Sequence, residues 1–514
     1  MDCQGNTIDG NGSVNYGIVI SRTSKETTNI TIRDCTVTGW GTKAIYLKNA
    51  NENTLENLVI ESNTYGDCSG IYLEYSDFNT LKNITANSNF HGIYLDHSHN
   101  NSLSNITAND NADNGAGIML LYSDSNNLTN ITAMGKGKGV VLSYSDFTIL
   151  KNAKLINNTY WDVSYSTDGI NMDCHSQFIN VTGTDNKPIV FFNSSVHIQD
   201  WNNNVSEIIL CHADYSVIDN LTMNHTDRKN NGLFFVATQH TNITNSVFAN
   251  LYQGISITAG SDYNWLVNIT AVDNYRYGIY LRYADSNTFE NISVTGGDSG
   301  VEIEVSLYNV FNKITVKNCV DYGIYLDHNS NKNNFTNLVA EDNTNYGIFI
   351  GDSNSTIIKD SSISNSTTAD IALPWGSYDY TTYLINTTFN KTKVTIAGKD
   401  KIVVKWYLDI YVNSTSGKSL SEANVTAWSN GTQVFSELTN SSGYIGRKTL
   451  IEYIQNSSQV YPDVTFYTPY TINASKEGYY TNSTQINLTQ SLATYITLEA
   501  VSYTHLTLPT TERV

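Results

Sequence analysis

The sequence is poor in arginine, in cysteine and in long apolar runs, and each shortage excludes something. No stretch of about 18 apolar residues occurs, so no helix able to span a bilayer is written in the chain. Basic residues number 29 against 48 acidic ones, and only seven are arginine. A net charge of −19 without a basic run lacks the clustered contacts that a nucleic-acid partner requires. The six cysteines fall at 3, 35, 68, 174, 211 and 319, with no Cys-x-x-Cys. That spacing indicates neither a zinc knuckle nor a disulfide framework, and single cysteines buried in a core are expected. The opening Met1-Asp2-Cys3-Gln4-Gly5-Asn6 holds neither the basic nor the apolar segment of a signal peptide. Charged residues make up only 15% of the chain, so Asn, Ser, Thr and Tyr must cover much of its surface.

What is present is repetition. The phrase Gly-Ile-Tyr-Leu stands at 70–73, 92–95, 278–281 and 323–326. Aligned on its first position, 16 copies start at residues 17, 44, 70, 92, 117, 139, 162, 188, 207, 232, 254, 278, 300, 323, 347 and 370, spaced by 19 to 27 residues. The second position is aliphatic and the fourth apolar, with a variable residue between, which is the in–out–in alternation of a strand. About ten residues later comes a second phrase, Asn-x-Leu/Phe-x-Asn-Ile-Thr-Ala, as at 79–86, 101–108, 126–133 and 264–271. No helical period appears. A unit of this length is too short for a propeller blade and fits one turn of a parallel coil whose strands lie on those of the next turn. Apolar residues then stack inside a narrow tube, while Gly and Asn make the corners. At about 4.8 Å per coil, one continuous stack is a rod of roughly 75 Å.

On these phrases, residues 2–375 resemble the right-handed parallel β-helix repeat family, in the branch named after the periplasmic copper-binding protein NosD and common in archaeal surface proteins. The resemblance implies an all-β fold, a right-handed single-stranded parallel β-helix of about 16 coils over 1–375. It leaves function open, because the fold hosts lyases, hydrolases, epimerases, adhesins and spacers. Residues 376–400 are expected to be a cap or linker. From Lys401 the strands lengthen, and 401–500 resembles a carboxypeptidase-regulatory-like or transthyretin-like β-sandwich through Asp409-Ile410-Tyr411-Val412, Ala423-Asn424-Val425-Thr426 and Ser442-Gly443-Tyr444-Ile445. Such domains are usually non-catalytic. The final 501–514 follow no strand pattern and resemble translated adapter DNA. They are expected to be a non-native tail on a fragment cut at both ends.

Three groups of residues are candidates for chemistry. The variable residue of the first phrase points outward and is aromatic at Tyr46, Tyr72, Tyr94, Tyr280, Tyr325 and Phe349, a row suited to stacking on sugar rings or to packing the sheet. Two positions beyond it lie Glu74 and Asp96, and later Arg282, Glu304 and Asp327, with His328 following. Carboxylates on adjacent coils, beside Arg and His, suit acid–base work on an acidic polysaccharide or form a solvated ion-pair ladder. The Asn-Thr-Asp, Asp-Asp and Gly-His-Gly signatures of polygalacturonase-like enzymes are absent, as is the Trp-Ile-Asp-His of pectate-lyase-like ones. Cys174-His175, Cys211-His212 and His91/His97/His99 are soft-metal candidates, although 37 residues between the two cysteines are not a whole number of coils. No metal site is assigned, and calcium or copper stays open. Dense Asn-x-Ser/Thr sequons, at Asn83, Asn105, Asn130, Asn268, Asn386, Asn413, Asn424, Asn473 and Asn487 among others, point either to a glycoprotein or to corner Asn that happen to precede a strand.

The reading that follows is an extracellular, cell-surface monomer, non-enzymatic, that meets a polysaccharide or cell-envelope glycan along its Tyr-rich face. The alternative is a polysaccharide lyase, hydrolase or uronate epimerase acting at Arg282, Glu304, Asp327 and His328. A copper- or calcium-binding module comes third.

Overall fold

Sixteen phrase starts become sixteen strands, each beginning at or beside the aligned residue. A computed structural model describes residues 1–502 except 14, 22–27, 64–68, 136, 168–173, 227–228 and 377. The coil is all β, with one short 3-10 turn at Thr184–Asn186 among the described residues. Each phrase strand lies parallel on the next in exact repeat register: Ile45, Ile71, Ile93, Ile118 and Val140 form one row, and Leu47, Leu73, Leu95, Leu120 and Leu142 the other. Every one of these ten side chains is fully buried. The second phrase supplies the opposite wall, with Leu55, Leu81 and Leu103 in one row and Leu58, Ile84 and Ile106 in another.

The polar residues hold the corners. Asn53, Asn79, Asn101 and Asn126 are buried, and each of the first three takes the next coil's Asn side-chain oxygen on its backbone N–H at 2.8 Å. This satisfies amides that no strand partner reaches. A second Asn ladder is solvent-facing and left-handed in backbone. Asn83, Asn105, Asn130 and Asn152 sit at φ of 52° to 57° and link to the preceding coil's Asn by side-chain amides at 2.9 to 3.2 Å. The side-chain amides of the sequon residues Asn83, Asn105 and Asn130 are therefore already engaged in this ladder. Gly at the phrase start is needed because strands approach closely: a Cβ on Gly70 would lie 2.7 Å from the carbonyl oxygen of Gly92.

The coils do not form one straight rod. The first ladder of phrase strands has seven members and ends at Val163–Ser166, while a second holds the other nine, starts at Ile189–Phe192 and adds Val394–Ile396, with no pairing between the two ladders among the described residues. Strand Glu207–Cys211 shows how they meet. Ile208 and Leu210 enter the core of the second stack. Ile209 and Cys211, on the other face of the same strand, enter the core of the first stack beside Tyr165 and Val181. The second stack thus lays the outer face of its first phrase strands across the end of the first stack, and the molecule has an elbow.

The elbow also revises the cysteines. Cys174 and Cys211 form a disulfide with Cα atoms 5.6 Å apart, and Cys3 and Cys35 form another at 4.9 Å. The spacing of 37 residues is no obstacle to the first, because the chain changes stacks between them and the pair need not be stacked. Cys319 is single and buried, as expected; Cys68 lies outside the described residues. Disulfides of this kind belong to oxidising compartments.

Residues 376–400 contribute Thr381–Ile385 and Val394–Ile396, each parallel to the coil strand before it. Strand Lys401–Ser414 then leaves the coil. Its first half pairs with Thr381–Ile385, and its second half runs parallel to Leu492–Leu498. Beyond it an antiparallel sheet joins Thr432–Leu438, Asn424–Ser429, Tyr470–Ser475 and Asn482–Ile486. Leu408, Ile410, Val425, Ala427, Ile472 and Ala474 alternate into the same core as the coil, so the terminal unit and the second stack share one interior. Nearly all of the suspected tail, 503–514, lies outside the described residues.

Candidate active site at the elbow

Strand alternation places the outward residues of the second stack in two rows. Tyr280, Glu302, Tyr325 and Phe349 stand in register on successive coils. Arg282, Glu304 and Asp327 stand in the neighbouring row. Tyr280 donates its hydroxyl to Glu304 Oε2 at 2.8 Å, and Arg282 Nε lies 3.6 Å from the same oxygen. Tyr325 donates to Asp327 Oδ2 at 2.9 Å, and His328 Nδ1 is 2.7 Å from that oxygen. The structure therefore brings Arg282 to Glu304 and His328 to Asp327. Asp327 is nearly buried, 2% exposed, while the His328 side chain is 63% exposed.

The residue that sequence reading passed over is Glu302. It occupies an aromatic row between Tyr280 and Tyr325 and is only 8% exposed. Burial pushes its proton affinity up to about 7, Glu304 two residues away adds to the rise, and a hydrogen bond from Tyr277 opposes it. The signal was in the sequence: a carboxylate standing where neighbouring coils carry rings. Two carboxyl groups on one face of one strand thus have different environments, one dry, the other held by Tyr280 and Arg282.

Tyr280, Arg282 and Glu304 of this face, with Glu302 set behind them, line a groove where the stacks meet. A cavity of about 490 Å³ is lined by Arg276, Tyr277, Tyr280, Arg282 and Glu304 from the second stack and by Tyr144, Trp161 and Thr167 from the first. Two of the chain's seven arginines lie on it. Its lining also carries buried polar atoms with no partner among the described residues: Trp161 Nε1, Thr167 Oγ1, Asn231 Oδ1 and Ser256 Oγ. Such atoms are rare in folded proteins, and their gathering on one groove suits a polar ligand.

On the first stack the tyrosine row takes a different form. Tyr16, Tyr46 and Tyr72 stack on one another at 5.3 and 5.6 Å, Tyr94 follows at 4.8 Å, and Lys43 lies over Tyr72 at 4.5 Å. Tyr46 donates to Glu74 and Tyr72 to Asp96. The rings cover one another's faces, so this row packs the sheet more than it offers platforms. Another aromatic row, at the corner after the strand, was not singled out from sequence: Tyr75, His97, Tyr122 and Tyr144, with centroids 4.8 to 5.0 Å apart. Each has a left-handed backbone, φ 46° to 50°. The signal is the aromatic residue that follows the phrase strand on these coils.

The metal candidates separate. Cys174 and Cys211 are bonded to each other. His91 Nδ1 accepts from Ala116 N–H and His99 Nδ1 from Asp124 N–H, while His97 pairs with Asp96. Among the described residues no three His, Cys, Asp or Glu side chains converge.

Comparison with known proteins agrees with the fold. Residues 207–368 match the family described as right handed beta helix region, and residues 4–176 match the periplasmic copper-binding protein (NosD) family. With the parallel ladders, these matches support a right-handed parallel β-helix fold. Its two stacks match different models, one on each side of the elbow. No curated protein sequence matches. Among solved structures, the periplasmic alginate epimerase AlgG aligns over 66% of this chain and 73% of its own, at 11% identity and a TM-score of 0.28. The catalytic domain of a GH87 α-1,3-glucanase with nigerose aligns over 52% and 50%, at 19% and 0.31. A tailspike protein of E. coli bacteriophage HK620 with a pentasaccharide aligns over 83% and 86%, at 10% and 0.32. At these values the likeness concerns the coil only.

Proposed function

We propose that the protein modifies an acidic polysaccharide by acid–base chemistry in the elbow groove, outside the cytoplasm. The supporting observation is the Glu302/Glu304 pair. Burial raises the proton affinity of Glu302 to about 7, while Glu304 accepts from Tyr280 and lies beside Arg282. Environments that separate two carboxyls in this way assign an acid and a base. Arg276 and Arg282 meet the sugar carboxylate, an ion that the rest of this acidic surface repels. Glycosidic cleavage, elimination and epimerisation at a uronate all need this donor–acceptor pair, so lyase, hydrolase and epimerase remain the three forms of the reading. Asp327 and His328, one coil further on, extend the row. The terminal antiparallel unit, as a carboxypeptidase-regulatory-like sandwich, acts as a spacer at the cell surface.

The test is product release from polygalacturonate, alginate and glucuronoxylan, followed by reducing ends, unsaturated uronate and sugar composition. The wild type should act on at least one of them, and Glu302→Gln and Glu304→Gln should each lose about 100-fold or more in rate. Binding without turnover would instead favour the non-enzymatic reading, in which the open groove is a glycan-binding surface.

A further inference from the structure

We infer that the polymer is mixed, with an acidic sugar in the groove and neutral sugars along the corner ladder Tyr75–His97–Tyr122–Tyr144 of the first stack; this rests on the reading of the groove above. Tyr144 is the link. It lines the elbow groove and also a second cavity of about 380 Å³ that continues past Tyr122 and His97. It is the last ring of its ladder among the described residues: Tyr122 covers one face at 4.8 Å, and the next coil places Thr167 at the same corner. Thr167 Oγ1 is a buried, unpartnered polar atom, and it lines both cavities. A ring face beside an orphaned hydroxyl is a sugar subsite in miniature, since a sugar presents an apolar C–H face and a hydroxyl edge together.

The ladder's own chemistry selects the sugar. Tyr75, Tyr122 and Tyr144 are 51%, 43% and 37% exposed, and their hydroxyls bond to no group among the described residues. Two residues beyond each ring runs a parallel row, Asp77, His99, Asp124 and Asp146. Asp77 holds His99 N–H at 2.6 Å and Asp124 holds Asp146 N–H at 2.8 Å through one carboxylate oxygen, which fixes the carboxylates beside the rings. Fixed carboxylates accept sugar hydroxyls and repel sugar carboxylates. No arginine stands on this row, in contrast to the groove with two. One charge pattern therefore meets acid at the elbow and neutral hydroxyls along the first stack.

The experiment is calorimetric binding of size-graded fragments at about 0.15 M salt to the full chain carrying Glu302→Gln, which prevents turnover. Glucuronoxylan and gellan fragments carry neutral sugars beside a uronate, and polygalacturonate fragments are acidic throughout. Affinity for the mixed fragments should rise with length, and the gain should vanish in Tyr122→Ala and fall about tenfold in Tyr144→Ala. Asp124→Asn should improve binding of long polygalacturonate fragments relative to mixed ones. Tyr480→Ala, an exposed ring on the terminal antiparallel unit, should change nothing. Length-independent binding of mixed fragments, or unchanged binding in Tyr122→Ala and Tyr144→Ala, overturns the ladder. Loss of all turnover in the wild type with the length dependence intact overturns the catalytic reading and leaves the ladder standing.

Discussion

Replacing Glu207 by Gln should stabilise the elbow at neutral pH and leave it unchanged in acid. Asp162 and Glu207 are both buried where the stacks meet, at 1% and 0% exposure. Asp162 accepts from Asn158 Nδ2 at 2.8 Å and from Thr184 N–H at 2.5 Å. Glu207 has one oxygen on Asn231 at 3.2 Å and none on the other. Burial raises the proton affinity of Asp162 from 3.8 to about 6, and it raises Glu207 well above its usual value, with Asp162 adding to the effect. The folded chain thus holds both protons more tightly than the unfolded chain does. Their contribution to stability is complete below about pH 4 and is lost as pH rises through 6 and beyond. For Asp162 alone, a rise of roughly two units corresponds to about 3 kcal/mol. Glu207→Gln removes the deeper of the two charges and relieves its neighbour. Hydrogen exchange of the Tyr160–Asp162 and Ser206–Cys211 segments reads the local opening energy without requiring a repeat chain to unfold in one step. The variant should show slower opening than wild type at pH 8 and equal opening at pH 4. Equal effects at both values, or faster opening at pH 8, would refute the reasoning.

Other consequences follow from the packing. Phe289, Phe311 and Phe335 stack in the core at 4.5 and 4.7 Å, so Phe311→Ala should cost about 3–5 kcal/mol in chemical denaturation, against under about 1 kcal/mol for the exposed Tyr263→Ala. Asn101→Ala strips the acceptor from the backbone N–H of Asn79 and should cost about 1–3 kcal/mol, with exchange speeding first at Asn79. Joint replacement of Cys174 and Cys211 by Ser releases a tie across 37 residues and should lower stability by up to about 4 kcal/mol, an effect that reductant reproduces in the wild type.

Much of this architecture was legible in the chain because a coil repeats its constraints. Ile71 and Leu73 are interior since strand alternation allows nothing else, and Asn79 and Asn101 recur because each corner leaves an amide to satisfy. The elbow was harder to see, yet Asp162 carries a trace of it. Gly70 and Gly92 must lack a side chain because another phrase strand lies on each, whereas Asp162 is the last in its ladder and no phrase strand covers it. The Cys174–Cys211 bond was illegible because it depends on how two stacks meet, not on coil length. The site divides likewise. Arg282 and Glu304 were readable from register, but Glu302 required knowing that its row is dry, and Tyr144 required knowing that the second stack turns back across it.

The most direct test of the central claim is the pH dependence of turnover on an acidic polysaccharide by the full chain and by Glu302→Gln. In the proposed reaction Glu302 is the acid, so the wild-type rate should fall as pH rises through about 7, and that limb should disappear in the variant together with most of the activity. No turnover of any acidic polymer at any pH, or a Glu302→Gln variant with wild-type rate and profile, would contradict the account.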